Sequence, residues 1–441
     1  MKLSIAKYTA LSGLLLLAAA CQKGEIPNLN TPQTDVITIN PTKGELNNLV
    51  TGTESGMRFT LGTYYDAIGV IGRDIYRFSG SEPRFTSELL GGGSSTLDNN
   101  TFYLTNPWAS RYRVVRQTNI LLEGATNSTA VTEAQRKGYL GFAKTIQAYQ
   151  LLLNLNMTDA NGIRIDVKDI YNPGPFVQKV PALDAIAQLL DAGKADLTGS
   201  EIIFSLSAGF DGIRDPIQGI TPAGLIKFNR ALAARVAVYR QQWAAALTAL
   251  NESFFDLNGS FTTGIYHQFG TGANDQLNPA FIAQNQSGEV RVAHPSYAAD
   301  ITPGDDRIGK ATLRTSAASQ SGLSSNRDVW VYTSNTAPIP IIRNEELILI
   351  YAEAKIQQNA FPDAIVALNR IRTGHNIPSY AGAVTQAALI NEMLRQRRYS
   401  LFYEGHRWID VRRYNMLNTL PLDRAGDDVW DKFPLPQNEN Q

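Results

Sequence analysis

Two stretches of this chain share one spacing, and that spacing limits the folds open to it. Ala234, Trp243 and Ala246 stand at the same intervals as Ala352, Phe361 and Ala364. Both stretches, residues 228–251 and 347–372, carry apolar residues near every third or fourth position, the mark of amphipathic helix. A small residue on either side of an aromatic lets two antiparallel helices approach closely, so each stretch is expected to fold as a helical hairpin. Looser versions at 107–155 and 183–251 raise the expected number of hairpins to three or four. Such units bury their apolar faces by stacking on one another. The expectation is a predominantly α-helical chain.

The spacing resembles the tetratricopeptide arrangement, in which two small residues twelve apart face each other across a hairpin; the resemblance implies a right-handed superhelical scaffold. The remaining periodic segments agree. Residues 45–73 place Leu46, Leu49, Val50, Met57, Leu61, Tyr64, Tyr65 and Ile68 at helical intervals. Trp108, Tyr112, Val115, Asn119 and Leu122 mark a second helix, which pairs with a third over 132–155. Two regions break the period. Residues 74–105 hold aromatics around a Gly91–Ser95 glycine and serine run; residues 252–338 are dense in Gly, Ser, Asn and Thr, with short strands expected at 289–292 and 328–333. Long irregular segments inside an otherwise regular chain are usually either functional or disordered.

The N-terminus bears on compartment. Lys2 to Lys7 is a short basic segment, residues 9–20 are apolar, and Ala18-Ala19-Ala20 precede Cys21, the only cysteine. This reads as a signal peptide over residues 1–20 followed by a lipidated Cys21, too short to span a bilayer. Residues 21–43, rich in Asn, Pro and Thr, read as an extended tether, and 44–441 as a single domain with insertions at about 74–105 and 252–338. Forty basic residues balance forty acidic ones, which argues against a nucleic-acid partner.

Enzyme signatures are lacking. Gly304–Ala311 approaches a phosphate loop, but Ala311 stands where a magnesium-binding hydroxyl is needed and no buried strand precedes it. The four histidines, 267, 294, 375 and 406, have no metal-binding spacing, and no G-x-S-x-G elbow occurs. No catalytic residue, metal or cofactor is expected.

Residues 391–414, NEMLRQRRYSLFYEGHRWIDVRRY, place six arginines on a half-apolar helix, where arginine usually forms forked ion pairs. Arg407 and Asp410, three apart, can meet on one face, and Gly405 marks a bend. Arg397, Leu401, Glu404, Gly405, Arg407, Asp410 and Arg413 match a long spaced pattern that resembles the C-terminal signature of SusD/RagB-like outer-membrane lipoproteins. Ser400, Tyr403 and Val411 depart from it, standing where the family has Glu, Phe and Leu. Residues 108–122, RNEELILIYAEA at 343–354, LNRIR at 368–372 and the FPLPQNE ending at 433–439 extend the similarity over the mature chain.

The resemblance implies a SusD-like fold and a nutrient-binding protein, not an enzyme. It implies an oligosaccharide or peptide ligand, a SusC-like TonB-dependent barrel as partner, and a lipid anchor in the outer membrane facing the exterior. An ion pair of Asp306 with Arg307 or a neighbour is implied as well. The ligand is expected on the two irregular regions, with Tyr76, Phe78, Phe102 and Tyr103 from the first and Tyr266, Trp330 and Tyr332 from the second. Arg84, Asn99 and Asn100 are the polar candidates. Trp330 and Tyr332 alternate as in a strand and are expected to share a face. The alternative is a lipid-anchored helical scaffold that binds only proteins; the aromatic-bearing insertions favour the first reading, since a pure scaffold has no need of them.

Overall fold

A computed structural model describes residues 34–440 apart from Ile170 and Asn274. Among the described residues about 52% are helical, in 13 α-helices and several short 3-10 turns, and the strands are few and short. The expected signal peptide and Cys21 lie outside the described residues. The expected tether lies partly within them, and there it is not extended. Thr34–Ile39 is a helix, and the Asn127 side chain donates to the Thr38 carbonyl at 3.0 Å, which ties it to the body of the protein.

Helix boundaries follow local chemistry. Thr42 caps Lys43–Gly56 through a reciprocal box in which Thr42 accepts from the Glu45 amide and Glu45 accepts from the Thr42 amide. Thr132 and Gln135 repeat the device for Glu133–Thr158. Pro222 occupies the first turn of Pro222–Tyr239, where its missing N–H costs nothing. The single helix expected over 45–73 is two, Lys43–Gly56 and Leu61–Ile71, because the chain turns through Thr60 in a left-handed conformation (φ 53°).

The hairpins form as the spacing predicts. Pro222–Tyr239 and Trp243–Asn251 make one, and Asn344–Gln357 and Phe361–Gly374 the other. Trp243 and Phe361 each open the second helix, and Ala234, Ala246, Ala352 and Ala364 are fully buried. Phe102–Asn127 and Glu133–Thr158 pair in the same way, and Lys179–Leu197 packs on the latter. There the helices touch so closely that a Cβ on Gly141 would lie 2.5 Å from Leu197 Cγ. Gln386–Ser400 closes over a second core of Ile348, Leu349, Leu368, Leu389 and Met393, and Arg407–Arg413 follows with Trp408 and Ile409 in the main core.

Five of the eight described strands come from the two irregular regions. Strands β1 (Ile75–Phe78), β5 (Val290–Ala293), β7 (Leu323–Val329) and β6 (Ala311–Gln320) form one antiparallel sheet in that order. The short pairs β2 (Ile163–Arg164) with β3 (Phe176–Val177), and β4 (Gly264–His267) with β8 (Ile339–Arg343), complete the inventory of described strands. β6, ATLRTSAASQ, was not expected as a strand, since its short polar residues carry no apolar alternation; its pairing with β7 orders it.

Candidate ligand-binding face

The four-stranded sheet joins the two irregular segments: β1 belongs to 74–105, and the other three strands to 252–338. It is fastened to the scaffold by Arg291 of β5. This guanidinium forks onto Asp66 of helix Leu61–Ile71 at 2.6 and 2.8 Å, and the Tyr403 hydroxyl donates to the same carboxylate at 2.7 Å. The two irregular regions are thus tied to helix Leu61–Ile71 and, through Tyr403, to the C-terminal signature segment.

That segment is a buried ion-pair lattice. Arg397 donates to Asp410 at 2.7 Å, and Arg413 bridges Asp410 (2.8 Å) and Glu353 (2.7 Å). The expected Arg407–Asp410 contact does not form. Asp410 faces the two other arginines, and the nearest carboxylate to Arg407 is Asp74, at 4.0 Å. Likewise Arg307 pairs with Asp305 (2.8 and 2.6 Å), not Asp306, which turns to His375. Ser400, the departure from the family pattern, accepts from Arg307 at 3.0 Å and so keeps that guanidinium satisfied. Gly405 is at φ 80°, the bend its sequence position suggested. Nearby, burial pushes Glu404 up to about 7 against the pull of Arg343, and lowers Lys310 to about 8.

Four of the aromatic candidates are core. Tyr76 and Phe78 stack on each other (centroids 5.6 Å apart) on the buried side of β1. Tyr103 is fully buried, and its hydroxyl donates to Glu88 at 2.5 Å. Tyr332 is 4% exposed and packs on Tyr403. The strand ends at Val329, so Trp330 and Tyr332 do not share a face: Tyr332 turns inward while Trp330 stays half-exposed. Tyr266, half-buried on β4, lies in another sheet; its hydroxyl donates to the Thr262 carbonyl and burial pushes it up to about 12.

The remaining candidates form two surface clusters. In the first, half-buried Phe102 stands edge-on to Phe85, and the Arg84 guanidinium lies 5.1 Å above its ring. Glu82 and Thr101 fix Arg84 at 2.6 and 2.9 Å, and the side chain remains 40% exposed. Asn99 is half-buried beside this ring, its carbonyl accepting from the Gln437 amide, and Asn100 is exposed. In the second cluster, Trp330 leans on half-exposed Phe281, with centroids 6.1 Å apart. Exposed Leu313 and the Gln284–Thr312 hydrogen bond (2.7 Å) lie on the adjoining strand and loop. Sequence reasoning missed Phe281; its setting between Asn278-Pro279 and Gln284-Asn285, without helical period, was the available signal. The β6–β7 turn reaches the first cluster, where Ser321 meets Thr86, and Trp330 sits at the far end of β7. The two clusters are therefore separated by roughly 25 Å of strand at about 3.3 Å per residue. Among the described residues no group of His, Cys, Asp and Glu can hold a metal ion, and no helix is long and apolar enough to cross a membrane.

Comparison with known proteins agrees with this architecture. Residues 286–438 match the SusD family, a span that takes in β5 to β8 and the whole ion-pair lattice. The fold is SusD-like. Among solved structures similar to this SusD-like chain is surface glycan-binding protein A of Bacteroides thetaiotaomicron in complex with laminarihexaose, at TM-score 0.69 and 12% identity, over 90% of this chain and 97% of that one. The surface glycan-binding protein A of Bacteroides uniformis is similar at TM-score 0.67 and 16% identity, over 90% and 97%. A SusD superfamily protein of Bacteroides vulgatus follows at 0.66 and 15%, over 90% and 96%. A sequence search of curated proteins gave no match.

Proposed function

We propose that this chain is a surface-exposed, lipid-anchored binding protein that captures an oligosaccharide and passes it to a SusC-like TonB-dependent outer-membrane barrel. It binds and does not catalyse. The observation that carries the reading is a pair of half-exposed aromatic clusters, Trp330–Phe281 and Phe102–Arg84, mounted on the helical scaffold and flanked by amides and hydroxyls. Sugar rings stack their CH faces on aromatic rings and present hydroxyls to amides and guanidinium forks. The span between the clusters suits an extended oligomer, not a single sugar. The likeness to a glycan-binding protein crystallised with laminarihexaose supports the ligand class. The match to the SusD family supports the membrane setting and the partner barrel. Of the residues expected from sequence, Trp330, Phe102, Arg84, Asn99 and Asn100 stay in the proposed site, joined by Phe281; Tyr266 is peripheral.

Affinity electrophoresis through gels containing a panel of soluble polysaccharides, with laminarin among them, tests this. The wild-type protein is retarded by at least one glycan, and Trp330→Ala abolishes the retardation with an unchanged circular dichroism spectrum. Each aromatic platform is worth about 1–3 kcal/mol, the range of a buried aromatic contact. Retention of full affinity in Trp330→Ala and Phe102→Ala alike would move the site off this face.

A further inference from the structure

A second site lies outside the aromatic face. Helices Gln386–Ser400 and Arg407–Arg413, with the end of Ser296–Asp300, enclose a cleft of about 560 Å³, within the range of small-molecule sites. Three arginines line it, Arg395, Arg398 and Arg407. Arg407 is the singular one. Its side chain is nine-tenths buried, yet Nε and Nη1 have no hydrogen-bond partner. Buried guanidinium groups are normally paired, because desolvating the charge costs several kcal/mol.

The carboxylates on hand do not supply the pair. Asp410 lines the same cleft but is engaged by Arg397 and Arg413. Asp74 stands off at 4.0 Å with its Oδ1 also unbonded, and burial raises its carboxyl above the ordinary carboxylate range. Asp300, 56% exposed, holds Arg398 at 2.9 Å, and its carbonyl accepts from Arg395 at 2.5 Å. Arg398 Nε is also unbonded, while its two Nη groups are held by Asp300 and by the Ser296 hydroxyl at 2.6 Å. The cleft therefore carries an excess of positive charge in guanidinium groups, whose N–H donors suit a carboxylate. Its remaining lining is mixed: Leu394, Val411 and Met416 are apolar, and Asn391 and Thr419 offer hydrogen bonds to hydroxyls.

We propose that this cleft binds a small hydroxylated organic acid, of the uronic acid class, whose carboxylate is received by Arg407 and Arg398 and whose ring rests on Leu394, Val411 and Met416. The apolar lining favours an organic acid over a bare inorganic anion. Since the site shares no residue with the Trp330 and Phe102 clusters, it stands or falls separately from the glycan reading.

Isothermal titration of the purified chain at low ionic strength, with sodium glucuronate against glucose and sodium sulfate, tests it. Saturable glucuronate binding is expected, with no heat from glucose and weaker binding of sulfate. Arg407→Gln and Arg398→Gln should each lower glucuronate affinity about tenfold, the loss of one charge-assisted hydrogen bond. Should Arg407→Gln fail to fold, Arg398→Gln and Arg395→Ala, both nearer the surface, decide. Glucuronate heats equal to those of glucose, sulfate binding as tight as glucuronate, or undiminished affinity in the folded variants would overturn the proposal.

Discussion

Replacing Asp410 by Asn keeps the shape of the signature lattice and removes its central charge. Asp410 is 3% exposed and receives Arg397 at 2.7 Å and Arg413 at 2.8 Å. Arg413 keeps Glu353 after the change, but Arg397, itself 1% exposed, has no other carboxylate and its Nη1 is already unbonded. The loss is therefore that of one buried, uncompensated guanidinium, softened by the single acceptor the Asn retains. Breaking a buried pair costs about 3–5 kcal/mol, and the retained acceptor places Asp410→Asn near the lower end, at about 3 kcal/mol. Urea unfolding followed by circular dichroism measures it. Arg407→Gln is the internal comparison: with its nearest carboxylate at 4.0 Å, it should cost less than Asp410→Asn by at least about 1 kcal/mol. The pH dependence gives a second reading. Burial alone would raise the Asp410 carboxyl, but Arg397 and Arg413 more than offset it and hold it below its ordinary 3.8. A carboxylate with a depressed folded-state pKa stabilises the fold above its unfolded value and loses that effect as pH falls through the folded one. The wild-type advantage over Asp410→Asn should be complete above about pH 5 and shrink progressively below it. An unchanged midpoint, or a larger cost for Arg407→Gln, would refute the assignment of partners.

Other outcomes follow from the same structure. Tyr332 is buried with its hydroxyl unbonded, so Tyr332→Phe should leave stability unchanged or raise it by up to about 1–3 kcal/mol, and Tyr332→Ala should lower it by about 3–5 kcal/mol, both read by urea unfolding; loss of glycan binding by a stably folded Tyr332→Phe would return this residue to the site. His267 is fully buried, and desolvation lowers it to about 3. The unfolded chain takes up this proton near 6.5 and the folded chain does not, so wild type should lose up to about 1.4 kcal/mol per pH unit relative to His267→Phe between pH 6 and 4; parallel stability curves would show that the imidazole titrates freely. Cys21→Ser should move the protein from the membrane fraction to the soluble periplasm, and continued sedimentation with membranes would refute lipidation at this position.

The helical scaffold was legible in the sequence because its information is local. A 3.6-residue period, threonine caps and the alanines either side of Trp243 and Phe361 depend on neighbours a few residues away, and each of these alanines is buried as that spacing requires. The 391–414 segment was legible for a related reason: arginine and carboxylate side chains on a half-apolar helix need partners, so their burial in pairs could be stated before their partners were known. Which arginine meets which carboxylate was not local. Asp410 reaches thirteen residues back to Arg397 instead of three back to Arg407, because only the packing of two helices brings that pair together. The binding face was the least legible part. Tyr76, Phe78, Tyr103 and Tyr332 look in sequence like Trp330 and Phe102, aromatics in irregular segments. The pairing of β1 with β5 turned Tyr76 and Phe78 inward, the end of β7 at Val329 separated Tyr332 from Trp330, and the first turn of helix Phe102–Asn127 buried Tyr103 while leaving Phe102 half-buried. An irregular segment has no period from which inside and outside can be read; its side chains take their orientation from the sheet and the helices they land on.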